Sequence, residues 1–105
     1  MSTNPEPTPL SQPFPGALPV MKRELDDILG NFFYRLVNEG YSKSTMSHLL
    51  RLYETMILSR SKEIGGKLYE LTQQLIQFCA DFANGHGKLD RVNTQLELVK
   101  EVLRS

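Results

Sequence analysis

From residue 21 onwards, apolar positions recur every three or four residues, the spacing that gathers them on one face of an α-helix. Met21, Leu25, Ile28, Leu29, Phe32, Phe33, Leu36 and Val37 make the first such stripe. It predicts a helix over residues 20–39, ended by Asn38 and Gly40, since glycine tolerates the left-handed conformation just past a helix. A second helix is predicted behind Ser42 or Ser44, whose hydroxyls can accept from the free amides of a first turn, with Met46, Leu49, Leu50, Tyr53 and Ile57 as its buried stripe. Ser59 to Gly66 shows little periodicity and closes on a Gly-Gly pair, which predicts a connection. A third helix is expected from Lys67 to Phe82, apolar on two sides. One stripe is Leu68, Leu71, Leu75, Phe78 and Phe82, the other Tyr69, Ile76, Ala80 and Ala83. Asn84-Gly85-His86-Gly87 stops it, and Leu89, Val92, Leu96, Val99 and Leu103 mark a fourth helix running to the last residue. No stretch alternates with period two. The fold class predicted is all-α: a compact, orthogonal four-helix bundle over residues 20–105.

Composition changes the picture at the front of the chain. All six prolines fall between Pro5 and Pro19, and Glu6 is the one charged residue among the first 21. Residues 1–19 are therefore expected to be a disordered, Pro-rich arm. That leaves about 85 residues for a core, a size that buries only ~60–65% of its unfolded surface and gains from docking onto a partner. No apolar run approaches a bilayer-spanning length, and Cys79 has no second cysteine to pair with. Met1 to Leu10 lacks both the basic residues and the apolar stretch of a leader. A soluble, cytoplasmic chain without a membrane partner is the expectation. Twelve basic and twelve acidic side chains cancel, so no strong overall field steers it towards nucleic acid or membrane.

Candidate chemistry is sparse. A nucleophile needs a base and an orienting group within hydrogen-bond reach, and the two histidines, His48 and His86, have no neighbours that suggest such a set. Cys79 sits near the apolar side of the third helix, where a thiol serves as small core filler. With His86 it makes a poor metal pair. The expectation is a protein that is not an enzyme and uses no cofactor or metal. The informative face is on the second helix. Ser44, His48, Arg51 and Thr55 follow one another at spacing four, three, four, almost opposite the core stripe, and each can donate a hydrogen bond. With Lys43 beside the helix start, such a face suits phosphates and base edges.

The run Gly40-Tyr41-Ser42-Lys43-Ser44-Thr45, behind a helix carrying Phe32, Phe33 and Leu36, resembles the amino-terminal SAM-like (core-binding) domain of tyrosine recombinases, the phage integrases. Members of that family open with a helix and a Gly-(aromatic or aliphatic)-Ser-x-x-Thr turn, followed by three more helices. The resemblance covers about residues 22–103. It implies a non-catalytic DNA-binding domain, half of a clamp around recombination-site DNA, presenting its second and fourth helices to the grooves of double-stranded DNA. Carried over by position, the second helix offers Lys43, Ser44, Thr45, His48 and Arg51, and the fourth offers Lys88, Arg91, Asn93, Thr94 and Gln95. Leu49 stands where the family usually has an aromatic, and Glu97 and Glu101 share the exposed side of the fourth helix. Tight DNA binding typically draws on ~6–10 neutralised phosphates, more than Lys43, Arg51, Lys88 and Arg91 supply, so contact by this domain alone is expected to be weak and salt-sensitive.

A second reading is a small helical regulator (an inhibitor, adaptor or chaperone) that acts by binding another protein. Leu58, Ile76, Leu98 and Val102 fall off the main core stripes. Leu98 and Val102, at spacing four, would serve a protein partner or self-association as a homodimer through an isologous helix pairing.

Overall fold

The computed structural model describes residues 16–105. They form four helices: α1 Ala17–Asn38, α2 Lys43–Ile64, α3 Gly66–Ala83 and α4 Leu89–Arg104. Residues 1–15 of the expected arm lie outside the described residues, but its last three residues, Ala17 to Pro19, belong to α1. Proline is accepted there because amides of a first helical turn have no intrahelical acceptor, so the missing N–H removes nothing.

The ends of α1 and α3 follow the same design. Gly40 N–H donates to Val37 O (3.2 Å) and Tyr41 N–H to Leu36 O (3.0 Å). At the other helix Gly85 N–H donates to Phe82 O (3.0 Å) and His86 N–H to Asp81 O (2.8 Å). Both pairs satisfy otherwise free carbonyls, and both need the left-handed glycine that the φ angles of 90° and 83° record. The start of α2 is held by Ser42, whose Oγ accepts from Thr45 N–H at 3.0 Å and donates to Thr45 Oγ1 at 2.8 Å.

The connection expected over Ser59–Gly66 is instead the last two turns of α2. The buried face continues through Ile57 and Ser61 to the half-buried Ile64, and Ser61 disguises it: a fully buried serine whose Oγ donates to Leu58 O at 3.1 Å. Arg60, on the other side, reaches Glu24 of α1 at 3.6 Å and Glu63 at 3.8 Å. The reversal into α3 takes only Gly65 (φ 79°) and Gly66 (φ 59°).

Successive helices lie antiparallel along one another. α1 and α2 meet at Glu24–Arg60 and, further along, at Arg35–Tyr53, where Nη1 donates to Oη at 3.4 Å. The Gly65 turn joins α2 to α3 at one end, and at the other the Lys43 ammonium lies 3.7 Å from where a Cβ on Gly85 would stand. α3 and α4 pair through Gln95 Nε2 donating to Leu71 O (3.0 Å) and Arg91 over the Phe78 ring (5.3 Å). Lys22 Nζ donates to Ser105 O (3.1 Å), joining the start of α1 to the end of α4. The arrangement is the compact, all-α four-helix bundle expected from the sequence.

Inside lie Leu25, Leu29, Phe32 and Leu36 of α1, Met46, Leu49 and Ile57 of α2, Leu68, Leu75 and Cys79 of α3, and Val92 and Val99 of α4. Phe32 is the hub, edge-on to Phe33 (4.8 Å) and to Tyr53 (5.7 Å). Cys79 is fully buried, and burial pushes its thiol up to about 12, the filler role expected of it. Among the described residues no helix is long and apolar enough to cross a membrane.

Candidate functional site

Two surfaces compete. The first is the bundle end where α2 and α4 begin. Lys43 beside Gly85 brings the α2 start against the α3–α4 turn, so Lys43, Lys88 and Arg91 share this end. A shallow cleft of about 630 Å³ lies there, lined by His86, Gly87, Lys88, Asp90, Arg91 and Thr94. The α4 start has no side-chain cap, whereas the amide of Thr45 in α2 is already taken by Ser42.

The ten residues carried over for DNA do not all gather. Lys43, Ser44, His48, Arg51, Lys88, Arg91, Asn93 and Thr94 are exposed. Arg51 stands eight positions beyond Lys43, about 12 Å along the axis. Thr45 is half-buried and its hydroxyl takes the hydrogen of Ser42 Oγ, so it works as part of the helix cap. Asn93 is two positions from Arg91 and so lies on the far side of α4 from it. Gln95 is a correction: it is only 7% exposed, and its amide is spent on Leu71 O, so it is a strut between α4 and α3 rather than a groove contact. Its polar type, read on sequence alone, hid an interior position.

The second surface is the seam between α1 and α4, the least closely packed of the helix pairs in contact. A groove of about 360 Å³ runs along it, walled by Leu29, Phe33, Val37, Tyr41 and Leu96, with Gly30 on its rim. Val37 was expected in the core stripe and is 52% exposed; Tyr34 beside it is 67% exposed. Tyr41 holds φ 58°, a left-handed conformation unfavourable for a bulky residue, and this directs its ring to the same wall.

Further along the seam, a second cleft of about 720 Å³ is lined by Lys22, Arg23, Lys100 and Arg104, with Leu18, Leu103 and Asp26 among its other walls. The groove and this cleft share Asp26 and Lys100. Sequence reasoning missed this seam. Its one local signal is Gly30, a mid-helix glycine with ordinary φ that no turn requires. The positions expected to meet a second copy or another protein separate: Leu98 is 41% exposed, Val102 and Leu58 are half-buried against the core, and Ile76, only 5% exposed, is part of the core itself.

Among the described residues, no three His, Cys, Asp or Glu side chains come together as metal ligands. Compared with protein-family models, curated proteins and solved structures, the chain matches none significantly.

Proposed function

We propose that this chain is a small non-catalytic interaction domain that receives a segment of another protein along the α1–α4 seam. The observation that supports this reading is the groove itself: an apolar channel with the exposed Tyr34 and Val37 beside it, between the least closely packed of the helices in contact. Charged residues in the channel are confined to its Asp26–Lys100 end, which is the layout of a site recognising apolar side chains. The test is affinity capture from the source cells by the native chain and by Val37→Lys, which places a cation in the groove near the C-terminus of α1, where the dipole tolerates it. The expected result is a small set of proteins retained by the native chain and lost by the variant. The same set on both refutes the groove as the interaction site.

A DNA-binding domain of the recombinase core-binding kind is the second reading, and one observation favours it: Lys43, Lys88 and Arg91 share an end with the uncapped start of α4. Anisotropy with a generic duplex of about 30 base pairs at ~50 and ~200 mM salt separates the two readings, because phosphate contacts weaken steeply with salt. Saturable, salt-steep binding that Lys43→Ala with Arg51→Ala abolishes would favour DNA. No binding at the lower salt eliminates it.

A further inference from the structure

The seam is chemically graded along its length. At one end it is apolar, with Phe33, Val37, Tyr41 and Leu96; at the other, four cations, Lys22, Arg23, Lys100 and Arg104, face the single carboxylate of Asp26. In a chain whose charges sum to zero, that is a local excess. Among the described residues Arg23 and Arg104 join no ion pair, Lys22 donates to Ser105 O at 3.1 Å but meets no acidic side chain, and Lys100 has only a largely exposed Glu97 at 4.0 Å. Between the zones stands Gly30. A Cβ there would meet nothing within 4 Å, and a mid-helix glycine is less stable than alanine, so no packing within the fold calls for it. Its missing side chain leaves the groove open to something from outside.

We propose that the seam binds an acidic, amphipathic helix of another protein. This rests on the interaction reading above and names what that site takes. Apolar side chains at i, i+3 or i+4 and i+7 lie against Gly30, Phe33 and Val37, and a cluster of Asp or Glu at one end meets Lys22, Arg23 and Arg104. The two zones are centred eleven positions apart on α1, about 16 Å, so the acidic cluster sits about three turns from the apolar anchors. A third helix is the natural occupant of a channel between two helices, which offer no sheet edge for an added strand. A second copy fits poorly. Antiparallel pairing of two seams lays cations on apolar surface, and parallel pairing lays cations on cations. Residues 1–15 of the same chain fit no better, since they bring one carboxylate, Glu6, against four cations.

The test is a displayed library of random 20-residue peptides selected on the full-length chain, the enriched peptides then being synthesised and measured by anisotropy. The expected sequences combine an apolar stripe at helical spacing with Asp or Glu clustered at one end. Their binding falls about tenfold or more in Gly30→Phe, which fills the groove from an exposed position, and by a similar factor in Arg23→Glu with Arg104→Glu. Changing the peptide's acids to Gln lowers affinity at ~50 mM salt and has little effect at ~500 mM. Melting curves verify that both variants fold. Enriched peptides that are neutral or basic, yet still lost in Gly30→Phe, overturn the acidic assignment and leave the interaction reading standing. Enrichment indifferent to Gly30→Phe, or no enrichment at all, overturns both.

Discussion

Thr72 lies fully buried midway along α3, and its Oγ1 has no hydrogen-bond partner. Taking a hydroxyl out of water without a replacement bond costs about 1–3 kcal/mol. Valine puts a methyl group in the same place with almost the same volume, and the helix propensities of the two residues are nearly equal. The difference between them is therefore the hydroxyl's desolvation. Thr72→Val is expected to stabilise the domain by about 1–2 kcal/mol, which for a domain of this size raises Tm by roughly 4–8 °C per kcal/mol. The assay is urea unfolding followed by far-ultraviolet circular dichroism, where the midpoint should rise with the slope m unchanged. Thr72→Ser is the control: it keeps the hydroxyl, loses a buried methyl group and should fall by about 1 kcal/mol. A lower midpoint for Thr72→Val would mean that the hydroxyl does have a partner, such as a buried water, and the reasoning from an unpaired group would be refuted.

Three other expectations can be checked with the same measurements. Ser42→Ala removes the acceptor for Thr45 N–H and should cost about 1 kcal/mol, while Ser44→Ala, whose Oγ only grazes Ser42 at 3.3 Å, should cost much less. Gly30→Ala should raise stability by about 0.5–1 kcal/mol, since the new methyl meets nothing within 4 Å; a loss would show that the backbone there is not free to accept a side chain. For Cys79, burial raises the thiol from 9.0 to about 12, so the folded chain keeps its proton where the unfolded chain releases it. Unfolded chains then bind fewer protons, and stability should fall as pH rises from about 9 towards 12, a slope that Cys79→Ala lacks. At neutral pH a thiol reagent should label Cys79 in urea far faster than in the native chain.

The helices were legible wherever the buried face was made of aliphatic and aromatic residues, as in α1 and α4. Reading failed where a core position was polar. Ser61 broke the apolar pattern and cut α2 short, and Gln95 looked like a surface donor although it bridges to Leu71. Pro19 misled in the opposite sense, because a first turn accepts the residue that breaks later ones. The exposed donors of α2 were legible as a stripe, since a wheel places them without knowledge of neighbours. The α1–α4 seam was not, because Phe33 and Leu96, or Lys22 and Arg104, become neighbours only once the bundle closes. Helix order was legible, but Glu24–Arg60, which ties α1 to α2, is a pairing no local pattern announces.

The turn between α2 and α3 has a consequence for assembly. Gly65 alone separates two helices, and it and Gly66 both hold left-handed backbone. If that pair relaxed to helical angles, α2 and α3 would become one rod of about 40 residues, roughly 60 Å long. The hairpin would open, and α1–α2 of one molecule could close only on α3–α4 of another. The two glycines therefore keep α2 and α3 folded back on each other within one chain, so the guard against domain exchange rests on a turn one residue long.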